Sequence, residues 1–187
     1  SIVLRSVEQN DCNEEYISWL NDPRVNEYLE TKWENQNLKK LKSFVEEMSK
    51  SLDSCLLAII DRSTDRHIGN IKIGPINRNH QYTDISYFIG ETSAWGKGYA
   101  GEAVSLVTSY LFNEMKIHSI VASVYSGNIA SQKVLEKSGY ILRGRFPNQL
   151  INVNNEREDH LFFLKLKNES NSKYFKLIGA SKKTVSI

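Results

Sequence analysis

Three glycines within six residues, Gly96, Gly98 and Gly101, stand between two stretches of different period. Before them, residues 84–89 alternate, with Ile85, Tyr87 and Ile89 on one face of a strand. After them, Ala103, Val104, Leu106, Val107, Tyr110, Leu111 and Met115 recur at helical spacing. A glycine turn that opens a helix is a natural anion cradle. The helix start has free N–H groups and the positive end of the helix dipole, and glycines let a phosphate approach closely. Lys97 adds a charge. The same string also reads as a plain turn joining strand to helix.

The spelling G-x-G-x-x-G suggests a dinucleotide site. That fold needs an acidic residue about 20 positions on to hold a ribose hydroxyl. Residues 119–127 contain no Asp or Glu, and three strand-like segments precede the loop. The dinucleotide reading therefore fails, and no Gly-Lys-Ser/Thr follows to support a P-loop.

The flanking pattern is that of a mixed α/β sheet. Strands are expected at 2–5, 55–60, 68–73, 84–89, 119–125 and 160–166. Helices are expected at 14–20, stopped by Asn21-Asp22-Pro23, and at 36–50, after the loop, and at 128–138. The β-α-β passage over 84–125 predicts a parallel or splayed strand pair.

The 187 residues, 40% hydrophobic and 25% charged, suit one domain. Cys12 and Cys55 form no CxxC, and a reducing, cytoplasmic setting fits them. The four histidines lack metal-ligand spacing, so no metal is expected. No apolar run reaches the ~20 residues of a membrane span, and Ser1 to Arg5 carry no secretory apolar segment. Net charge is +2, too balanced to imply nucleic acid as the main partner. The basicity sits in a polar tail, 168–187, where Lys173, Lys176, Lys182 and Lys183 face only Glu169. The domain is expected to span 1–167. An RNA- or ribosome-binding tail is a minor alternative.

A second motif follows the strand at 119–125. Asn128-Ile129-Ala130-Ser131-Gln132-Lys133-Val134-Leu135-Glu136-Lys137-Ser138-Gly139-Tyr140 reads locally as a capped helix ended by a glycine. Together with Trp95-Gly96-Lys97-Gly98-Tyr99-Ala100 it resembles the GNAT acetyltransferases, in particular the branch with the ribosomal-protein alanine acetyltransferases. The similarity covers roughly 1–167. It includes Trp19-Leu20-Asn21-Asp22-Pro23, and Trp95 stands where the family usually has Arg or Gln.

The resemblance implies the GNAT fold: a central, mostly antiparallel sheet with a splayed parallel pair and helices on both faces. It implies acetyl-CoA as co-substrate and acetyl transfer to a primary amine by direct attack in a ternary complex. Phe88, Ile89 and Gly90 would lend backbone groups to the pantetheine arm. Trp95, Gly96, Lys97, Gly98, Tyr99, Ala100 and Gly101 would form the pyrophosphate loop. Asn128 and Ser131 would lie beside the pantetheine and thioester, with Lys133 and Lys137 near the outer phosphates. Asp84 is the candidate base. Trp19, Asp22, Tyr28 and Trp33 are candidates for the acceptor pocket, with Glu30 beside them.

Leu135 stands where many relatives have a tyrosine acid. That leaves the proton donor unassigned, with Ser131 as one option, and keeps open a non-catalytic acyl-CoA-binding module. The acceptor is a small-molecule amine such as an amino sugar, slightly favoured, or a protein N-terminus. The resemblance leaves a homodimer open.

Overall fold

The computed structural model describes residues 1–168; residues 169–187, which hold the lysines of the tail, lie outside them. Seven strands form one sheet in the order β1-β2-β3-β4-β5-β7-β6. They are β1 (Ile2–Ser6), β2 (Cys55–Asp61), β3 (Arg66–Asn77), β4 (Tyr82–Ile89), β5 (Ser119–Tyr125), β6 (Ile141–Ile151) and β7 (Arg157–Leu166). All neighbours are antiparallel except β4 and β5. The helices are α1 (Glu14–Asn21), α2 (Pro23–Asn26), α3 (Leu38–Lys50), α4 (Tyr99–Asn113) and α5 (Ile129–Lys137).

The helices start where their caps dictate. Asn13 accepts from the Tyr16 amide at 2.9 Å, and Asn37 from the Lys40 amide at 3.0 Å. The expected stop at Asn21-Asp22-Pro23 is also a new start. Asp22 caps the Arg24 amide at 2.9 Å, and Pro23, whose missing N–H costs nothing at a first helical position, begins α2.

Each face of the sheet buries its own core. On one, Ala103, Val104, Val107 and Leu111 of α4 meet Ile59, Ile71, Ile85 and Ile120. On the other, Tyr16, Trp19 and Leu20 of α1 and Leu41 and Val45 of α3 meet Leu56, Ala58 and Ile60. Helices therefore flank both faces, as the sequence implies.

The sequence reading missed β6. This strand forms the sheet's edge, and its register on β7 shifts twice, between Leu142 and Gly144 and between Phe146 and Leu150. Most of its residues are exposed. An edge strand with bulges, arginines and Pro147 has no period-2 signal to read.

Candidate active site

The site begins where two parallel strands part. Tyr82, Thr83 and Asp84 pair with Ser119, Ile120 and Val121, and there the β4–β5 ladder stops. Beyond it β4 stays on β3 up to Ile89, while β5 stays on β7 along its whole length. The gap opens into a cavity of about 750 Å³, with Ile85, Ser86, Tyr87 and Phe88 on one side and residues 122–125 on the other.

Past Asp84 the gap leaves the β5-facing backbone groups of β4 without a strand partner. Gly90 N–H donates to Ile68 O at 2.9 Å, so the alternation of an antiparallel ladder turns Phe88 and Gly90 toward β3. Tyr87 and Ile89 face the gap by the same alternation. Of the three residues expected to lend backbone groups, Ile89 is therefore the one so turned. Its carbonyl already accepts from Trp95 Nε1 at 2.8 Å, which fastens the glycine loop to the end of β4. An extended ligand with amide groups can pair with such an edge as an added strand.

The glycine loop needs its glycines for backbone reasons. Gly96 and Gly98 adopt φ of 75° and 85°, a region that favours glycine. Gly98 is the N-cap of α4 and offers no side chain, so the first amides of the helix have no partner within it. A Cβ at Gly96, Gly98 or Gly101 would meet nothing within 4 Å, so the loop stands open. Tyr99 OH donates to Asp61 Oδ2 at 3.0 Å and anchors the helix start to β2. These features fit the pyrophosphate of a coenzyme.

The opposite wall comes from α5. Asn128 Oδ1 caps the helix by accepting from the Ser131 amide at 3.1 Å, and both residues line the cavity. Tyr87 OH bridges the gap to Ser131 O at 3.2 Å. Burial pushes the Tyr87 hydroxyl up to about 12, so it serves as a neutral donor that fixes the wall. Leu135 is 0% exposed and packs in the core, so its position offers no proton. Lys97, Lys133 and Lys137 are exposed and do not line the cavity.

The expected acceptor residues separate. Tyr28 lines the cavity and packs against Tyr125 at 5.7 Å between ring centroids. Glu30 lines it too, accepting from Tyr125 OH at 2.7 Å and from Trp33 Nε1 at 3.1 Å. Trp33 itself is exposed and not among the lining residues. Trp19 and Asp22 are placed elsewhere. Trp19 is 6% exposed, wedged against Tyr16 and His67, with Gly90 pressed on its ring. Asp22 is the α2 cap, and its carboxylate is held low by Arg24.

Asp84 is the last paired residue at the closed end of the gap. It shares a strand face with Ser86 and Phe88, which line the cavity, but does not line it itself. Partial desolvation raises its carboxyl above the usual range, while Lys72 pulls the other way.

Several lining residues escaped the sequence reading. Asn70, Lys72, Tyr125 and His160 come from β3, β5 and β7. Glu158 braces the same corner by accepting from the Gly127 amide at 2.7 Å. Only strand register brings them together, and no local motif marks them.

Comparison with known proteins agrees with this geometry. Residues 1–141 match the family model described as "Acetyltransferase (GNAT) domain". A probable N-acetyltransferase of Bacillus subtilis is 35% identical over 65% of this chain and 66% of that protein, just under two thirds of its length. An uncharacterized N-acetyltransferase of Bacillus licheniformis is 26% identical over 76% of this chain and 80% of that protein. Among solved structures, a GNAT-family acetyltransferase from Bacillus anthracis superposes with a TM-score of 0.77 at 24% identity, covering 90% of this chain and 96% of that one. A chimeric spermidine N-acetyltransferase from Vibrio cholerae and hSSAT gives 0.78 at 17% identity, covering 89% and 95%. Those likenesses show the fold. The family match spans well over half of the sequence, and the chain belongs to the GNAT acetyltransferases.

Proposed function

We propose that this chain moves an acetyl group from acetyl-CoA to the primary amine of a small molecule. The observation that carries the reading is the splayed β4–β5 gap, which opens into the cavity and whose β4 edge is tied through the Trp95–Ile89 hydrogen bond to the loop before an open helix N-terminus. A volume of about 750 Å³ falls in the range of small-molecule sites. A protein N-terminus is the alternative acceptor.

The coenzyme supplies an activated acetyl group as a thioester. The protein's residues supply the rest. The amides at the start of α4 take the pyrophosphate, with Lys97 and Lys133 as candidates for further phosphate contacts. The gap-facing edge of β4 holds the arm in register, and Asn128 and Ser131 flank the reacting end. The Ile89 N–H faces the gap and is the candidate donor for the developing oxyanion. The held geometry lowers the entropic part of the barrier.

An alkylammonium must lose a proton before it attacks. Asp84 is the proposed acceptor of that proton, reached along its strand face through a water. A thiolate whose pKa lies near 8–9 leaves without a dedicated acid, consistent with Leu135 in the core.

Asp84→Asn is expected to lower kcat about 100-fold or more. Its effect on stability should have the opposite sign. A carboxyl whose folded-state pKa is raised favours the protonated form. It therefore costs stability above that pKa and regains it as pH falls through it. The melting temperature of Asp84→Asn at pH 7 should be equal or higher. A lower one would make Asp84 structural.

The coenzyme reading is checked by thermal shift. Acetyl-CoA should raise the melting temperature and NAD should not. Stabilisation by NAD alone would overturn it.

A further inference from the structure

Strand β3 presents to the cavity two polar side chains with hydrogen-bonding capacity to spare. Asn70 is 2% exposed and lines the cavity. Its Nδ2 donates to Leu57 O at 3.4 Å, which turns Oδ1 away, and Oδ1 has no hydrogen-bond partner among the described residues. The His67 ring lies close enough to feel the Asn70 amide as a weak partner, but its Nε2 is engaged with Gly69 O at 3.0 Å and no bond of ordinary geometry reaches Asn70 Oδ1. A buried amide oxygen without a partner is unfavourable unless a ligand satisfies it.

Lys72 follows two residues later on the same strand face, half-buried on the cavity wall. Leu41, Phe44 and Leu56 line the same side. Among the described residues Lys72 makes no hydrogen bond or ion pair; Asp84 feels its charge from beyond contact distance. The other ammonium on the wall, Lys40, is bound to Glu34 at 2.6 Å. The β3–β4 ladder sets Asn70 beside Phe88 and Lys72 beside Ser86, whose hydroxyl also lines the cavity. The Cα atoms of Asn70 and Lys72 are thus about 7 Å apart along the strand.

We infer, building on the transferase reading, that the acceptor amine also carries an anionic oxygen group, a carboxylate or a phosphate. Lys72 and the Ser86 hydroxyl take the anion, and Asn70 Oδ1 accepts from the amine. Glu30, which lines the same cavity and already accepts from Tyr125 OH, favours an ammonium there.

The test is a CoA-release assay over primary amines in matched pairs: glucosamine 6-phosphate against glucosamine, and amino acids against the amines left by their decarboxylation. The anionic member of at least one pair should be favoured about tenfold or more in kcat/KM. The responding pair separates phosphate from carboxylate. Lys72→Met should bring the two members of that pair close to parity by lowering the anionic one. Asn70→Leu should raise KM for the amine while melting no lower than the parent, because it removes an unpaired buried acceptor.

Neutral members used as well as their anionic partners would overturn the inference and leave the transferase reading standing. So would equal losses for both members in Lys72→Met, or a lower melting point with unchanged kinetics in Asn70→Leu. No release with any amine would overturn the transferase reading itself.

Discussion

Gly98→Val is expected to weaken acetyl-CoA binding about 100-fold or more while the rest of the domain stays folded. Gly98 sits at φ 85° as the N-cap of α4. A β-branched residue there is strained by about 2 kcal/mol, since the left-handed region crowds its Cβ. The cost is local, because a Cβ at this position meets no protein atom within 4 Å. Relief of that strain would rotate the loop and turn the helix's first amides away from the phosphates. Calorimetry with acetyl-CoA reads the affinity, and a thermal melt reads the fold. A variant that melts a few degrees lower yet binds as well as the parent would contradict the cradle.

Gly90→Ala should have the opposite signature, a loss of the fold itself. An added Cβ would lie 2.2–2.5 Å from Trp19 ring atoms. Trp19 cannot retreat, because Tyr16 and His67 hold it at centroid distances of 5.6 and 5.2 Å. Overpacking of this kind costs about 3 kcal/mol or more, a large fraction of a domain's stability. The expected result is a steep drop in melting temperature or insoluble protein. Trp19→Leu in the same chain should recover part of the loss, and a double-mutant cycle measures that coupling. A Gly90→Ala protein as stable as the parent would show that the Trp19 contact is soft.

Those two glycines also show what the sequence makes legible. Gly98 is readable because its role is local: a strand pattern, a glycine turn and a helix pattern lie within one stretch of chain. The cap Asn128 is readable for the same reason. Gly90 is not, since its neighbour Trp19 lies far away along the chain and only the packing of α1 on the sheet joins them.

The acceptor side suffers most from this distance. Tyr28 and Glu30 belong to a conspicuous aromatic and acidic run, and both line the cavity. Trp19 belongs to the same run but sits on the buried face of an amphipathic helix, the common fate of such a tryptophan. Asn70 and Lys72 look like ordinary residues of a strand. Their meaning appears only when β3 pairs with β4 and the gap beyond Asp84 opens beside them. The edge strand β6 stays hidden because exposure removes the alternation that marks a strand.

Amine-dependent release of CoA thiol from acetyl-CoA by the purified chain tests the proposed activity most directly. Saturable release with a small anionic amine, together with a product heavier by one acetyl group, is the expected result. Tight acetyl-CoA binding with no release for any amine would contradict it, and would make the gap between β4 and β5 a coenzyme-binding site without transfer.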